Sequence, residues 1–152
     1  MNCWILQGNS NDYSWKDQMK EHNDLDTWGI NPIRFRKYIE EIERGDTAFI
    51  WLTKYKGKET RGIYAVAEIT HVPDKKIRRF AWEHQYWINP ESERVVKRFW
   101  RLELRYRKLF INNYIRKDKL VAAGLDLLIL KMPQAGIYKL TQEECETIML
   151  AR

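Results

Sequence analysis

A chain of 152 residues that is 44% hydrophobic and 32% charged has the composition of one globular domain, and it excludes collagen-like, low-complexity and disordered classes. The longest apolar stretch, Leu120 to Leu130, is broken by Gly124 and Asp126 and is too short to span a membrane. The formal net charge of +6 is concentrated in residues 61–119, which hold fifteen Lys and Arg against seven acids, as expected of a surface that meets a polyanion.

Cys3 to Gln7 is a short apolar run that ends in the polar turn Gly8-Asn9-Ser10-Asn11-Asp12, which predicts a buried strand. The start has no basic region and its apolar part is too brief for a signal peptide, so a cytoplasmic address is expected. Ser14 stands three residues before Asp17, a capping-box spacing that predicts a helix to about His22. Trp28, between Asp26-Thr27 and Gly29, is placed in a loop. Asn31-Pro32 supplies an N-cap and a first-turn proline for a helix carrying Phe35, Ile39 and Ile42, with Gly45 as its stop.

Thr47 to Thr53 and Gly62 to Thr70 read as the two strands of a hairpin, joined by a loop with its turn at Gly57. From Phe99 to Arg107 the pattern alternates: Trp100, Leu102, Leu104 and Tyr106 on one face, Arg101, Glu103, Arg105 and Arg107 on the other. Lys117 to Ala123 is predicted as a short helix stopped by Gly124, Leu127 to Leu130 as a strand, and Thr141-Gln142-Glu143-Glu144 as a capping box opening a terminal helix. No repeat or linker divides the chain. The tally is α+β, a small, curved, mixed sheet or barrel flanked by short helices.

The chemistry-bearing residues point to binding. His22, His71 and His84 are isolated, and Cys3 and Cys145 are too far apart to suggest a metal pair or a disulfide framework; both cysteines are read as reduced, buried and small. Neither a nucleophile elbow, a phosphate loop nor a dinucleotide fingerprint is present. Aromatics do stand beside cations, as in Lys75-Lys76-Ile77-Arg78-Arg79-Phe80 and Arg105-Tyr106-Arg107-Lys108, a composition suited to phosphate contact and base stacking. Two candidate backbone-binding stripes follow: Arg101, Arg105 and Arg107 opposite Trp100, and Lys75, Lys76, Arg78 and Arg79. Trp28, Trp82 and Trp87 are loop tryptophans, and rings from separate loops can enclose a planar heterocycle. The alternative is that these rings pack over the end of the sheet.

Several segments, taken together, resemble the EVE domain family: Trp4-Ile5-Leu6-Gln7-Gly8-Asn9, Trp28-Gly29, Arg44-Gly45-Asp46, Ala48-Phe49-Ile50-Trp51, Gly62-Ile63-Tyr64-Ala65-Val66-Ala67-Glu68-Ile69, and Pro133-Gln134-Ala135-Gly136-Ile137-Tyr138-Lys139-Leu140-Thr141. Their order and spacing extend over nearly the whole chain, as one domain over residues 1–152. The resemblance implies a PUA-like barrel related to YTH domains, without catalysis, cofactor or metal, that takes a flipped, modified base. Modified cytosine in DNA is the expected ligand, with RNA binding or an enzyme acting on a nucleobase as alternatives. Carried over to this chain, Gln7 and Asn9 are expected to bond the base edge or sugar, and Trp28 with Gly29 to form the first cage wall. Trp82 is expected as the second wall, with Trp87 or Tyr86 in reserve. The opening Gln7-Gly8-Asn9-Ser10 replaces the Lys-Ser-Glu-Pro common in the family, a form associated with EVE domains fused to McrB-like restriction NTPases. It implies restriction-system partner proteins and a role in defence.

Overall fold

The structure, a computed structural model, describes residues 1–125 and 136–151; the predicted strand at Leu127–Leu130 and the segment Pro133-Gln134-Ala135 lie outside the described residues. Strand β1 (Cys3–Gly8) runs parallel to β3 (Thr47–Leu52) and antiparallel to β7 (Ile137–Leu140). Its unbroken apolar sequence is explained by burial on both faces. Cys3 and Ile5 enter one hydrophobic cluster, while Trp4 and Leu6 enter the other. β3 divides in the same way, with Phe49 and Trp51 on the first side and Ala48, Ile50 and Leu52 on the second.

β4 (Gly62–Asp74) forms the predicted hairpin with β3 and extends beyond it to pair with β5 (Trp100–Leu109). β2 (Leu25–Ile30) closes the far side against β5, and β6 (Ile115–Arg116) pairs with the start of β4. Among the described residues the strand order is β2-β5-β4-β3-β1-β7, with β6 off that path. The mixed α+β architecture agrees with the sequence reading, and the curved sheet is left unclosed between β2 and β7. No helix among the described residues is long and apolar enough to cross a membrane.

The turn before β3 is built around Asp46. Its carboxylate accepts from the backbone N–H of Asn2 at 3.0 Å, that of Glu43 at 2.8 Å and the indole N–H of Trp4 at 2.9 Å. Gly45 precedes it at φ +94°, a left-handed conformation that other residues adopt at a cost. The Arg44-Gly45-Asp46 signature is thus a structural latch that fixes β1 beside β3.

Short helices cover the sheet. These are α1 (Trp15–Glu21), α2 (Arg36–Glu41), α3 (Pro90–Val96), α4 (Lys117–Ala122) and α5 (Gln142–Leu150), with a 3-10 helix at Ala81–Tyr86. The α5 capping box is formed as predicted: the Thr141 hydroxyl accepts from Glu144 N–H, and the Glu144 carboxylate accepts from Thr141 N–H. At Ser14 the side chain makes no cap bond. Asn31 does accept from the N–H groups of Ile33 and Arg34, yet a turn occupies residues 32–35 and α2 begins only at Arg36.

Two expectations are corrected. Trp28 lies on β2 instead of in a loop; Asp26 and Gly29 hide that strand from periodicity, because its polar residues are buried too. Cys3 and Cys145 are joined in a disulfide, since β1 and α5 pack on the same side of the sheet and bring their Cα atoms to 6.1 Å. Sequence separation gave no hint of that approach.

Candidate nucleic-acid site

The polar turn after β1, helix α1, strand β2 and the segment from the 3-10 helix to β5 converge on a cavity of about 180 Å³. Gly8 makes this convergence possible. A Cβ there would sit 2.6 Å from the Trp15 ring, so only glycine lets Trp15 lie across the end of β1. The Trp15 indole N–H then donates to the Asn9 carbonyl at 3.3 Å.

The cavity has aromatic walls. Trp15 stacks on Trp28 with centroids 4.3 Å apart, Tyr13 leans on Trp15 at 4.4 Å, and Trp87 meets Tyr13 edge-on at 4.9 Å. Backbone bonds hold the two contributing loops together: Ser14 N–H donates to Tyr86 O at 2.9 Å, and Ile88 N–H to Asp12 O at 2.8 Å. Asn89 both caps α3 and donates to the Asp12 carboxylate at 3.3 Å. These loops are therefore held in place before any ligand arrives.

Beneath the rings lies a polar floor. Asp26, 2% exposed, accepts from the Tyr106 hydroxyl at 2.5 Å and from Thr27 N–H at 2.8 Å. Burial pushes its carboxyl up to about 7 despite these bonds, which favour the ion. Burial likewise raises the Tyr106 and Tyr13 hydroxyls well above the usual tyrosine range. Gln18 is 1% exposed; its Nε2 donates to His22 O, and its Oε1 has no hydrogen-bond partner among the described residues. Gln7 and Asn9 line the same space.

Arg101 and Glu83 form the remaining side as a buried pair, and Trp87 Nε1 donates to Glu83 at 3.2 Å. Arg79 bridges Glu83 at 3.3 Å and Glu93 at 2.7 Å, and His84 also meets Glu93 at 2.7 Å. Burial alone would raise the Glu93 carboxyl, but its bonds to His84 and Arg79 prevail and hold it below the usual range. Among the described residues no group of three or more His, Cys, Asp or Glu is placed to hold a metal ion.

The structure thus gathers Gln7, Asn9, Trp28, Gly29, Trp87 and Arg101 around one cavity. Trp82 stands outside the lining, stacked on His22 at 3.9 Å and on Phe80 at 5.3 Å, while Tyr86 packs buried against Tyr13. The Arg101, Arg105, Arg107 stripe is corrected at Arg101, which is buried against Glu83, whereas Arg105 and Arg107 remain partly exposed and meet Asp24 at 3.1 Å and Glu68 at 2.6 Å. In the second stripe Lys75, Lys76 and Arg78 are exposed, whereas Arg79 turns inward to its two glutamates. Sequence reasoning missed Tyr13, Trp15, Gln18, Asp26 and Glu83. The one available signal was two aromatics, Tyr13 and Trp15, directly after the polar end of β1.

The sequence profile of the EVE domain family matches residues 2–151. Human THYN1, solved in complex with 5-methylcytosine-containing DNA, has a similar fold at a TM-score of 0.67 and 16% identity, over 100% of this chain and 98% of that one. A hypothetical protein from Leishmania major is similar at a TM-score of 0.68 and 10% identity, covering 98% and 92% of the two chains. The YTH domain of Zygosaccharomyces rouxii MRB1, solved with N6-methyladenosine RNA, gives a TM-score of 0.55 and 8% identity, covering 97% and 84%. No curated protein matches this chain in sequence.

Proposed function

The chain belongs to the EVE domain family, and we propose that it is a non-catalytic reader that takes a modified base, modified cytosine in DNA, into the cavity beside Trp28. The observation that carries this reading is the combination of aromatic walls with a buried polar floor. Tyr13, Trp15, Trp28 and Trp87 supply flat apolar contact, while Asp26, Gln18 and Gln7 supply hydrogen-bonding atoms beneath them. A volume of about 180 Å³ is smaller than the ~300–1,000 Å³ of drug-sized ligand sites and suits a single heterocycle. The 4.3 Å Trp15–Trp28 stack leaves no room for a third ring between its members. The base lies beside that stack, toward Trp87. THYN1 with methylated DNA and the YTH domain with methylated RNA support a modified-base ligand for this fold. A place as the specificity module of a restriction system, with partner proteins, belongs to the same proposal.

The test is binding to short oligonucleotides that differ in one base modification, each against its plain counterpart. A methyl group excluded from water by these rings contributes about 0.8 kcal/mol, about fourfold in affinity. Equal affinity for every modified and plain pair would overturn the reading. An enzyme acting on the base is the second reading, favoured by the Asp26 carboxyl near 7, a value suited to proton transfer at neutral pH. A mass change in the oligonucleotide after incubation would establish it; an unchanged mass supports the reader.

A further inference from the structure

Ile33 is 87% exposed, the highest value among the large hydrophobic residues that the structure describes, the terminal Met1 included. It is nevertheless held firmly. The Asn31 carboxamide oxygen accepts from the N–H of Ile33 at 3.0 Å and of Arg34 at 3.1 Å, and Phe35 N–H donates to Asn31 O at 3.1 Å. Phe35 packs against both hydrophobic clusters, and its ring lies 3.5 Å from where a Cβ on Gly136, a cavity-lining residue, would sit. Ile33 is four positions along the chain from Gly29, also in the lining, so the chain keeps them within about 14 Å. An aliphatic side chain is thus presented to solvent on a braced turn, within reach of the cavity lining along the chain.

Cations accompany it. Arg34, Arg36 and Lys37 are exposed, and among the described residues none has a carboxylate partner. On another wall Val96 and Phe99 line the cavity, and between them Lys97 and Arg98 are exposed and likewise unpaired among the described residues. This distinguishes them from Arg79, Arg101, Arg105 and Arg107, whose charges are already matched. Exposed positive charge therefore stands close in sequence to the cavity lining on two sides, after Gly29 and between Val96 and Phe99.

We propose that these two segments form a clamp for duplex DNA, in which Ile33 fills the gap left in the base stack by the nucleotide that enters the cavity while the cations of residues 34–37 and 97–98 hold the flanking phosphates. The proposal rests on the base-reading function above. It commits to a duplex because only a duplex leaves a hole in its stack when a nucleotide swings out, and apolar side chains fill such holes. A single strand has no partner strand to hold such a gap open, so a braced aliphatic tip gains little there. The free cations add the counterion release that any backbone contact provides.

The experiment titrates wild-type protein, Ile33→Ala and a Lys97→Ala/Arg98→Ala pair with labelled DNA in four forms: a duplex with one 5-methylcytosine, the plain duplex, a duplex with one abasic position, and the methylated strand alone. Ile33→Ala should weaken the methylated and abasic duplexes about tenfold and leave the single strand within about twofold, with an unchanged Tm because the side chain is exposed. The cation pair should lower the salt slope by about two units on the duplexes. Equal loss on duplex and single strand, or no loss on the abasic duplex, would overturn the clamp. Failure of wild-type protein to prefer the methylated duplex over the plain one would instead overturn 5-methylcytosine as the base that is read. The abasic duplex still decides the role of Ile33 in that event, since its hole exists whatever base is read.

Discussion

Arg101 donates to both oxygens of the Glu83 carboxylate, at 2.6 and 3.1 Å, with both side chains buried beside the aromatic cavity. A third bond, to the Thr27 hydroxyl at 3.1 Å, anchors the pair to β2. Removing the guanidinium would leave the buried carboxylate only its longer bonds from Arg79 at 3.3 Å and Trp87 at 3.2 Å. Arg101→Ala should therefore cost about 3–5 kcal/mol of stability, measured by urea unfolding. Arg107→Ala, which breaks only an exposed pair with Glu68, should cost about 0–1 kcal/mol. A stable Arg101→Ala with a merely shallower salt dependence would instead make Arg101 a phosphate contact.

The tryptophans separate into core and ligand roles. Trp28 is 4% exposed and belongs to the hydrophobic cluster with Met19, Ile30 and Leu102 while also walling the cavity. Trp28→Ala should cost about 3–5 kcal/mol of folding stability and abolish binding with it. Trp87 is only half-buried, so Trp87→Ala should keep the fold and lose about 1–3 kcal/mol of binding to a modified oligonucleotide. Trp82→Ala should leave discrimination intact, because its ring stacks on His22 and Phe80 away from the lining. Thermal melts paired with binding curves read all three, and loss of discrimination in Trp82→Ala with retention in Trp87→Ala would reverse the assignment.

Asp26 predicts a pH dependence of stability. Its carboxyl is raised from 3.8 to about 7, so between those values the folded state keeps a proton that the unfolded chain has released. The Asp26 contribution is fully present below about pH 4 and is lost as pH rises through 7. By linkage it amounts to about 4 kcal/mol at most. Urea midpoints from pH 4 to 8 should fall in the wild type, and the fall should be smaller in Asp26→Asn. The same slope in both proteins would count against it.

The disulfide should matter for stability. Cys3 and Cys145 are 142 residues apart, and in the chain-entropy view a cross-link closing so long a loop restricts the unfolded chain by up to about 5 kcal/mol. A reducing agent, or Cys145→Ser, should lower the unfolding midpoint accordingly. An identical midpoint with and without reductant would show that the bridge contributes nothing.

Much of this molecule was legible locally. Where a strand is apolar throughout or alternates cleanly, as at β1, β3, β4 and the inner face of β5, hydrophobic pattern alone predicts the element. The capping box at Thr141 was equally readable, because a cap depends on a few adjacent residues; Gly45 does turn the chain at φ +94°, but α2 ends earlier, at Glu41 with Ile42 as its C-cap. β2 was not, since Leu25-Asp26-Thr27-Trp28-Gly29-Ile30 carries no alternation and its polar residues are satisfied by β5 and by Tyr106, far away in sequence.

By itself the sequence determined the α+β class, the positions of most elements and the family to which the chain belongs. Tertiary structure alone decided which ring faces the cavity, which arginine is neutralised and which cysteines meet. Trp87, Tyr13 and Trp15 converge because Gly8 admits a ring and Asp12 binds the distant loop. Arg101 sits on the predicted solvent face of β5, yet it is buried, because the 3-10 helix lays Glu83 over that face. The physical reason is general to charges and loops: alternation along a strand tells which face a side chain takes, but only the packed chain decides what covers that face.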